Sequence, residues 1–419
     1  MDTTETDTPP EIDWGARAIA AGRVFTPAAP IDDASLFAGR TPQVRKVVDA
    51  VNQRGQHAII YGERGVGKTS LANVIPKNVS VAGGGLIMPH INADTGDTYS
   101  SLWRKVVMQI ALYDLKFKPG FDDSDAVWHP KDIGKDLPDN LTTGDIRRLL
   151  TPLGNHFVTV IIIDEFDRLP TGQVRTMMAD TIKMLADHTR GITLVLVGVA
   201  ENVGALIAEH QSLHRNLIQV PLPRMSTPEL EQIINNGLKA LAMTMDEGAR
   251  LWITSLSRGL PHYTHLLARF AVRTSIDSHR LNVSSSDVAA GIAEAVGDAQ
   301  QTISDAYHEA TSSPRRDALY RQVLLACALA RTDEMGFFTP AEVRRHLNAV
   351  APREKVYEFS SFSNHLKEFC GPERGAIFEK RGISHRPRYR FKDAMLQPYV
   401  LLKAFADHML TKEMLSAGR

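Results

Sequence analysis

Cysteine is almost absent from this chain of 419 residues, which contains only Cys327 and Cys370, far apart in the sequence. Two distant cysteines exclude a disulfide framework and suit a reducing cytosol. Long apolar runs are also missing, because the longest, over residues 158–163, has the length of a strand and not of a membrane span. The N-terminus, MDTTETDTPPEID, is acidic and lacks the features of a signal sequence. We therefore expect a soluble cytoplasmic protein with no membrane partner.

The chain also lacks an excess of charge of either sign, with 48 Lys and Arg residues against 48 Asp and Glu residues. This balance excludes a chain that is basic throughout, so any surface for nucleic acid must be local. The length is sufficient for two or three domains, each with its own core.

What the chain does contain is a glycine-rich loop between a short apolar strand, residues 57–61, and a helix that opens at Lys68. The loop fits the phosphate-binding pattern G-x-x-x-x-G-K-[ST]. Glycines permit the tight turn that points successive N–H groups at phosphate oxygens, and the helix N-terminus adds partial positive charge. The residues expected to bind a nucleotide are Gly62, Glu63, Arg64, Gly65, Val66, Gly67, Lys68, Thr69 and Ser70.

Two side chains of this loop have specific expected roles. Lys68 would reach the β- and γ-phosphates, and the Thr69 hydroxyl would occupy one position around Mg²⁺. The sequence thus predicts a nucleotide and Mg²⁺ as cofactors.

An acidic pair, Asp164 and Glu165, follows the β-branched run at residues 157–163, which is typical of a strand buried on both faces. Here Asp164 would hold Mg²⁺ and Glu165 would orient and deprotonate the attacking water. The alternative is two solvated loop carboxylates. A water-activating Glu favours a hydrolase over a kinase. The chain has no Asn-Lys-x-Asp motif for guanine, so ATP is the predicted nucleotide.

Strands and helices alternate through the first half of the chain, which predicts an α/β fold: the P-loop NTPase fold with a doubly wound parallel sheet. The expected strands cover residues 57–61, 85–92, 157–163, 192–199 and 217–221. We expect residues 36–224 to form this core and residues 1–35, punctuated by prolines, to be disordered or loosely ordered.

The remaining chain reads as helical. Residues 225–297 are expected to form a small helical lid domain, and residues 298–316 a polar connector. In residues 317–419, three helices and a hairpin predict a C-terminal winged helix-turn-helix.

Together these features resemble AAA+ ATPases, and within them the origin-recognition/initiator branch and the neighbouring STAND signalling ATPases. The resemblance spans residues 36–404 and rests on the phosphate loop, IIIDEFDRL, an HRN box and the helical lid. It also includes a Leu/Phe-x-Gly-Arg box, which places Gly39 and Arg40 beside the nucleotide. The resemblance implies ATP hydrolysis in a homo-oligomer with ATP-bridged interfaces.

The resemblance also assigns three residues outside the loop. Arg215 falls where such ATPases place an arginine finger, although a plain surface arginine fits equally well. Asn202, in preference to Glu201, takes the polar sensor position after the strand at residues 192–199. In the lid, Pro261 belongs to a Gly-x-Pro sequence like that of STAND proteins, where the proline packs near the base. This departs from the usual lid arginine and favours a switch over a fast motor.

His262 and His265 form an H-x-x-H pair, which raises the question of zinc. No cysteine or third ligand lies nearby in the sequence, and histidines at this spacing are common on helices, so we do not predict a zinc site.

The hairpin of the winged helix is rich in basic residues, which suits phosphate contacts in a duplex groove. The predicted nucleic-acid residues are Lys380, Arg381, Arg386, Arg388 and Arg390. Winged helices also dock proteins, and a solvated basic hairpin is an ordinary surface, so a protein partner is the alternative.

We thus expect an ATP-binding and hydrolysing AAA+ ATPase that acts as a nucleotide-controlled, oligomeric, DNA-associated assembly. One alternative is a STAND-type signalling or defence switch whose winged helix binds protein. Another is an ATP-binding scaffold with negligible turnover.

Overall fold

The computed structural model describes residues 12–31, 33, 35–79, 85–111, 137–200, 203–207, 213, 215–314, 318–333, 335–351, 356–383 and 386–417. They fall into two compact units. Pro30–Met225 form the first, the α/β unit, and Met1–Ala29 with Ser226–Arg419 form the second, the mainly helical unit.

The helices, in chain order, are α1 (Trp14–Val24), α2 (Thr41–Asn52), α3 (Lys68–Asn78), α4 (Tyr99–Ala111), α5 (Thr143–His156), α6 (Gln173–His188), α7 (Thr227–Leu241), α8 (Glu247–Ser257), α9 (Pro261–Asp277), α10 (Ser285–Gly297), α11 (Gln301–Thr311), α12 (Tyr320–Leu329), α13 (Pro340–Val350), α14 (Phe359–Glu368), α15 (Leu396–Ala406) and α16 (Lys412–Ala417). The strands are β1 (His57–Gly62), β2 (Gly85–Ile87), β3 (His90–Asn92), β4 (Phe157–Asp164), β5 (Ile192–Val199), β6 (Leu217–Pro221), β7 (Thr244–Met245), β8 (Asn282–Val283), β9 (Phe378–Arg381) and β10 (Arg388–Phe391).

A parallel sheet forms the centre of the α/β unit, as predicted. Its strands lie in the order β2-β4-β5-β1-β6, and β3 also pairs with β4. Every pair is parallel. The single strand expected over residues 85–92 is instead two short strands. Met88 and Pro89 separate them, because proline has no N–H to give to a ladder.

Both faces of this sheet are covered. Alternate residues of β4, such as Ile161 and Ile163, belong to one large apolar cluster with side chains of α4, α5 and α6. The intervening residues, such as Val160 and Ile162, point to the other face and are buried as well. Burial of both faces explains why the strand sequence is continuously apolar instead of alternating.

The expectation of loose order over residues 1–35 is wrong for α1. Asp13 caps this helix by accepting a hydrogen bond from the Ala16 N–H at 2.8 Å. The Phe25 side chain, which follows the helix, is fully buried within the mainly helical unit. It lies so close to Gly237 of α7 that a Cβ there would collide with the Phe25 ring. The prolines of this segment led to the prediction of loose order, and the capping role of Asp13 and the burial of Phe25 were missed.

Helices α7 to α10 follow Ser226 in the region expected for the lid. Further along the same unit, α12, α13 and α14 precede the antiparallel hairpin of β9 and β10, the predicted order of a winged helix-turn-helix. A bridge between Phe338 and Tyr389 extends the hairpin, and the Phe378 and Phe391 rings, 4.8 Å apart, fill its core. Within the described residues, no helix combines the length and apolarity that a bilayer crossing requires.

Candidate functional site

The glycine-rich loop joins β1 to α3 at the carboxyl end of the sheet, where ligands of open parallel sheets bind. Gly65 and Gly67 have left-handed φ angles of 82° and 93°, which side-chain-bearing residues rarely adopt. Gly62 meets a different constraint, since a Cβ at this position would collide with the carbonyl oxygen of Leu222. The three glycines are therefore required by the loop conformation and by close backbone packing.

Lys68 opens α3 and turns back over the loop. Its Nζ donates to the carbonyl oxygens of Glu63 at 2.7 Å and Gly62 at 3.2 Å. The residue is only 9% exposed, and burial lowers the pKa of Lys68 to about 8, although the carboxylates of Asp167, Asp164 and Glu63 counteract part of this effect. The loop thus carries a buried lysine that remains largely protonated at neutral pH.

Asp164, the last residue of β4, lies beside the start of α3. The Thr69 hydroxyl is near enough to the Asp164 carboxylate to lower its pKa, so the two residues predicted to hold a metal are adjacent. Burial alone would raise the pKa of Asp164, but nearby His90, the Thr69 hydroxyl and the Glu165 N–H together hold this pKa below its usual value. His90 Nε2 is 3.8 Å from Asp164 Oδ2, which is an electrostatic contact and not a hydrogen bond. Asp164 is therefore a buried carboxylate in its ionised form.

Glu165 follows with a left-handed backbone, φ 53°, which is rare for a residue with a side chain and is common at functional sites. Its N–H donates to Asp164 Oδ1 at 2.7 Å. Its carboxylate accepts a hydrogen bond from Arg168 Nη1 at 2.7 Å, and Arg168 Nη2 also lies 3.4 Å from Asp94 Oδ1. The half-exposed Glu165 carboxylate is therefore restrained by an ion pair that the sequence analysis did not anticipate.

Arg40 stabilises the loop through hydrogen bonds to main-chain carbonyl groups. The residue is only 3% exposed, and its Nη2 donates to the carbonyl oxygen of Pro223 at 2.6 Å and to that of Val66 at 3.4 Å. Gly39 and Arg40 both have left-handed φ angles, 63° and 62°. Arg40 thus lies next to the loop, and the contact of Gly39 and Arg40 with a nucleotide stays a prediction. The guanidinium of Arg40, however, binds protein carbonyl groups, which indicates a supporting role instead of a direct contact with a ligand.

The other loop residues have defined surroundings. Val66 is buried, with 1% exposure, and the Ser70 hydroxyl accepts a hydrogen bond from the Ile31 N–H at 3.1 Å. Glu63 forms an ion pair with Arg224, with 2.6 Å between Nε and Oε2. Arg64 is exposed on the same loop.

The resemblance also assigned Arg215, Asn202 and Pro261. Arg215 is exposed just before β6, and its carbonyl oxygen accepts a hydrogen bond from Gln56 Nε2 at 2.8 Å. Asn202 and Glu201 lie outside the described residues. Pro261 is the first residue of α9 in the mainly helical unit, and its contact with a nucleotide base stays a prediction.

His262 and His265 both lie on α9 and have protein surroundings. His262 Nδ1 is 2.8 Å from the carbonyl oxygen of Pro27, and His265 is buried with its ring centroid 6.1 Å from that of Phe25. Burial lowers the pKa of His265 to about 4, so it is neutral at physiological pH.

Several basic side chains of the hairpin lie beside acidic side chains, which neutralise part of their charge. Arg390 is 9% exposed and pairs with Glu379, which also accepts a hydrogen bond from Arg381 at 2.7 Å. Arg388 lies 3.2 Å from Asp333. Lys380 and Arg386 are exposed. The role in nucleic-acid binding predicted for these five residues stays a prediction, and it is least favoured for Arg390, whose side chain is buried beside Glu379 and the Phe337 ring.

Asp167 is a residue that the sequence analysis missed, although it lies in the quoted IIIDEFDRL segment. Its Oδ1 accepts a hydrogen bond from the Val199 N–H at 2.7 Å, and so connects the segment after β4 to the end of β5. Its negative charge also stabilises the protonated form of Lys68. The only signal in the sequence is its place three residues after Asp164, which by itself does not specify a contact.

The comparisons with known proteins agree with a P-loop NTPase fold. The sequence profile of a family described as novel STAND NTPase 1 matches residues 28–357. The fold is similar to the ORC2 protein of Aeropyrum pernix, solved as ADPNP-ADP complexes, with 15% identity and a TM-score of 0.51 over 94% of this chain and 98% of that chain. It is also similar to a Walker-type ATPase of Pyrococcus abyssi, with 15% identity and a TM-score of 0.50 over 90% and 99% of the two chains. None of the curated protein sequences matches the chain.

Proposed function

The chain belongs to the novel STAND NTPase 1 family of P-loop NTPases, and from this premise we propose that it binds ATP with Mg²⁺ and hydrolyses it slowly, as a switch that controls assembly. The adjacency of Thr69 and Asp164 beside the buried Lys68 carries this proposal. These are the groups that a Mg²⁺-bound triphosphate needs, held at one end of the sheet.

Each residue of the site has a part in the proposed reaction. Lys68 would bind the β- and γ-phosphates, and Thr69 and Asp164 would hold Mg²⁺, which would supply positive charge beside the phosphate oxygens. Glu165 orients the attacking water and accepts its proton. Because Arg168 restrains the Glu165 carboxylate in an ion pair, one of its oxygens already has a partner before a water molecule is bound. This contact supports the proposal of slow turnover, as in a switch.

The affinity for ATP should depend on pH through Lys68. In the free protein the pKa of Lys68 is about 8, while bound phosphates stabilise its charged form and raise that pKa. Below pH 8 the lysine is already protonated and affinity is constant. Above pH 8 a proton must be taken up on binding, so affinity falls by up to about tenfold per pH unit.

Titration calorimetry with ATP and Mg²⁺ from pH 7 to pH 9.5 measures this dependence. The Lys68→Arg variant is the matched control, because arginine stays protonated throughout this range. A slope that persists in Lys68→Arg would assign the dependence to another group.

Assembly is proposed to run through Arg215. This residue is exposed and stands at the edge strand β6 of the sheet, and its main chain is fixed by Gln56. An exposed arginine on a fixed backbone can reach the γ-phosphate held by a neighbouring copy and stabilise charge there. Hydrolysis would then depend on contact between subunits.

Association with duplex DNA is proposed for the hairpin of β9 and β10, through exposed Lys380 and Arg386. Arg381 and Arg388 are partly neutralised by Glu379 and Asp333, so the surface is moderately basic. This neutralisation also supports the second candidate, a STAND-type switch whose C-terminal region binds protein. The two candidates differ in their response to salt, because only phosphate contacts release counterions.

The mass of the full chain in solution, measured by light scattering with and without ATP and with duplex DNA, tests assembly and DNA association together. An ATPase assay and duplex titrations at several salt concentrations accompany it. We expect ATP to increase the mass of the parent chain and of Arg215→Ala alike, with ATPase activity lost only in Arg215→Ala. We expect duplex binding to weaken with salt, and the slope of log affinity against log salt to fall by about two when Lys380 and Arg386 become Gln. ATP-driven assembly without salt-dependent duplex binding would favour the protein-binding switch.

A further inference from the structure

A carboxylate is built into the loop that is proposed to bind an anion. Glu63 directly follows Gly62, and its carbonyl oxygen is the closer of the two acceptors of Lys68 Nζ, at 2.7 Å. The Glu63 side chain is only 15% exposed, so water screens its charge weakly. An uncompensated carboxylate at this place would oppose the approach of phosphates.

Arg224 compensates this charge with a forked contact. Its Nε lies 2.6 Å from Glu63 Oε2, and its Nη2 lies 3.4 Å from Oε1. The Arg224 side chain is 10% exposed, so both members of the pair are largely shielded from solvent. Paired guanidinium and carboxylate groups in such surroundings depend on each other, because removal of one leaves the other charge buried.

The segment that carries Arg224 is fixed along the loop. The Leu222 N–H donates to the Tyr61 carbonyl oxygen at 2.7 Å, which continues the pairing of β6 and β1. The Pro223 carbonyl oxygen accepts a hydrogen bond from Arg40 Nη2 at 2.6 Å. With both preceding residues held, the Arg224 side chain is delivered to Glu63 from a defined backbone.

We propose that Arg224 is a positioning residue that neutralises Glu63 and holds the phosphate loop in a form that accepts a nucleotide. The inference rests on the proposed function, since it concerns the affinity of the same loop for ATP. Arg224 acts through Glu63 and not by its own contact with phosphate. The carboxylate is therefore the harmful group once its partner is gone.

This proposal predicts the direction in which ATP affinity changes in each of four variants. Arg224→Gln leaves the Glu63 charge uncompensated and should weaken ATP binding roughly tenfold or more. Glu63→Gln removes the harmful charge and should bind ATP more tightly than Arg224→Gln. The double variant should return to within about threefold of the parent chain, because no unpaired charge remains. Arg224→Lys, which keeps the charge, should lie between the parent and Arg224→Gln.

The experiment is titration calorimetry of ATP with Mg²⁺ into the full-length parent chain and these four variants. Thermal unfolding of each protein accompanies it, so that loss of folding is separated from loss of affinity. Arg280→Gln is the matched control, because it removes the partner of the buried Asp287 carboxylate in the other unit and should leave ATP affinity unchanged. If Arg224→Gln does not fold, the double variant and Arg224→Lys still carry the comparison.

Several results would overturn the proposal. Equal loss of affinity in Arg224→Gln and in the double variant would show that Arg224 acts on the nucleotide without Glu63. No loss in Arg224→Gln, or a loss in Glu63→Gln alone, would contradict charge compensation. In each of these cases the parent chain still binds ATP and the proposed function stands. A parent chain that binds no ATP would overturn both.

Discussion

Replacement of Lys68 by alanine is expected to weaken ATP binding by about a hundredfold or more. The change removes a buried charge whose Nζ already lies within hydrogen-bond distance of two loop carbonyl groups. Each charge-assisted hydrogen bond from such a group contributes ~1.5–3 kcal/mol, and Lys68 is proposed to make at least two to the β- and γ-phosphates. Titration calorimetry with ATP and Mg²⁺ measures the loss directly.

The matched control is Lys77→Ala, which removes an exposed lysine near the other end of the same helix, α3. This variant should bind ATP like the parent chain. An unchanged affinity in Lys68→Ala would contradict the assignment of the loop, and with it the proposed roles of Thr69 and Asp164. Loss of affinity in both variants would point to damage of the helix instead.

The second large effect is expected for Glu165→Gln. Glutamine keeps the shape of the side chain but cannot accept the proton of the attacking water, and a positioned general base contributes about 10²- to 10⁴-fold to a rate. We expect hydrolysis to fall within this range while ATP binding stays intact. The bound nucleotide should therefore remain ATP, which chromatography of the quenched complex detects.

Glu358→Gln is the control for this change, since it removes another carboxylate that pairs with an arginine, Arg344, in the mainly helical unit. It should hydrolyse ATP at the parental rate. If Glu165→Gln holds no more ATP than the parent chain, the protein is an ATP-binding scaffold with negligible turnover. That outcome would leave the phosphate loop and its lysine as proposed.

Together these two variants separate binding from hydrolysis. Lys68 belongs to the loop that is proposed to bind phosphates, whereas Glu165 follows β4 and is restrained by Arg168. A protein that retains its nucleotide for long periods suits a switch, and the left-handed backbone at Glu165 shows that this position is held in an uncommon conformation. The assembly that the switch would control is tested independently by solution mass.

Much of the α/β unit could be predicted from the sequence, because its signals act over short distances along the chain. The loop spacing from Gly62 to Thr69 and the apolar run that ends at Asp164 each specify a local structure directly. The parallel direction of the strands then follows from the alternation of strands and helices. The interruption at Pro89 was missed, although the lack of an N–H in proline explains it.

The sequence by itself thus determined the fold class and the residues proposed to bind a triphosphate, since the spacing of the glycines, the lysine and the acidic pair is typical of that chemistry. Only the tertiary structure decided which charged side chains are paired within the protein and which remain available to a ligand. Arg224 and Glu63 are 161 positions apart, and Arg40 and Pro223 are 183 apart, so no local pattern predicts their contacts. Folding also buries Arg390 beside Glu379, its neighbour across the hairpin. The partners of these charged side chains depend on tertiary packing, whereas the conformation of a loop depends on its own residues.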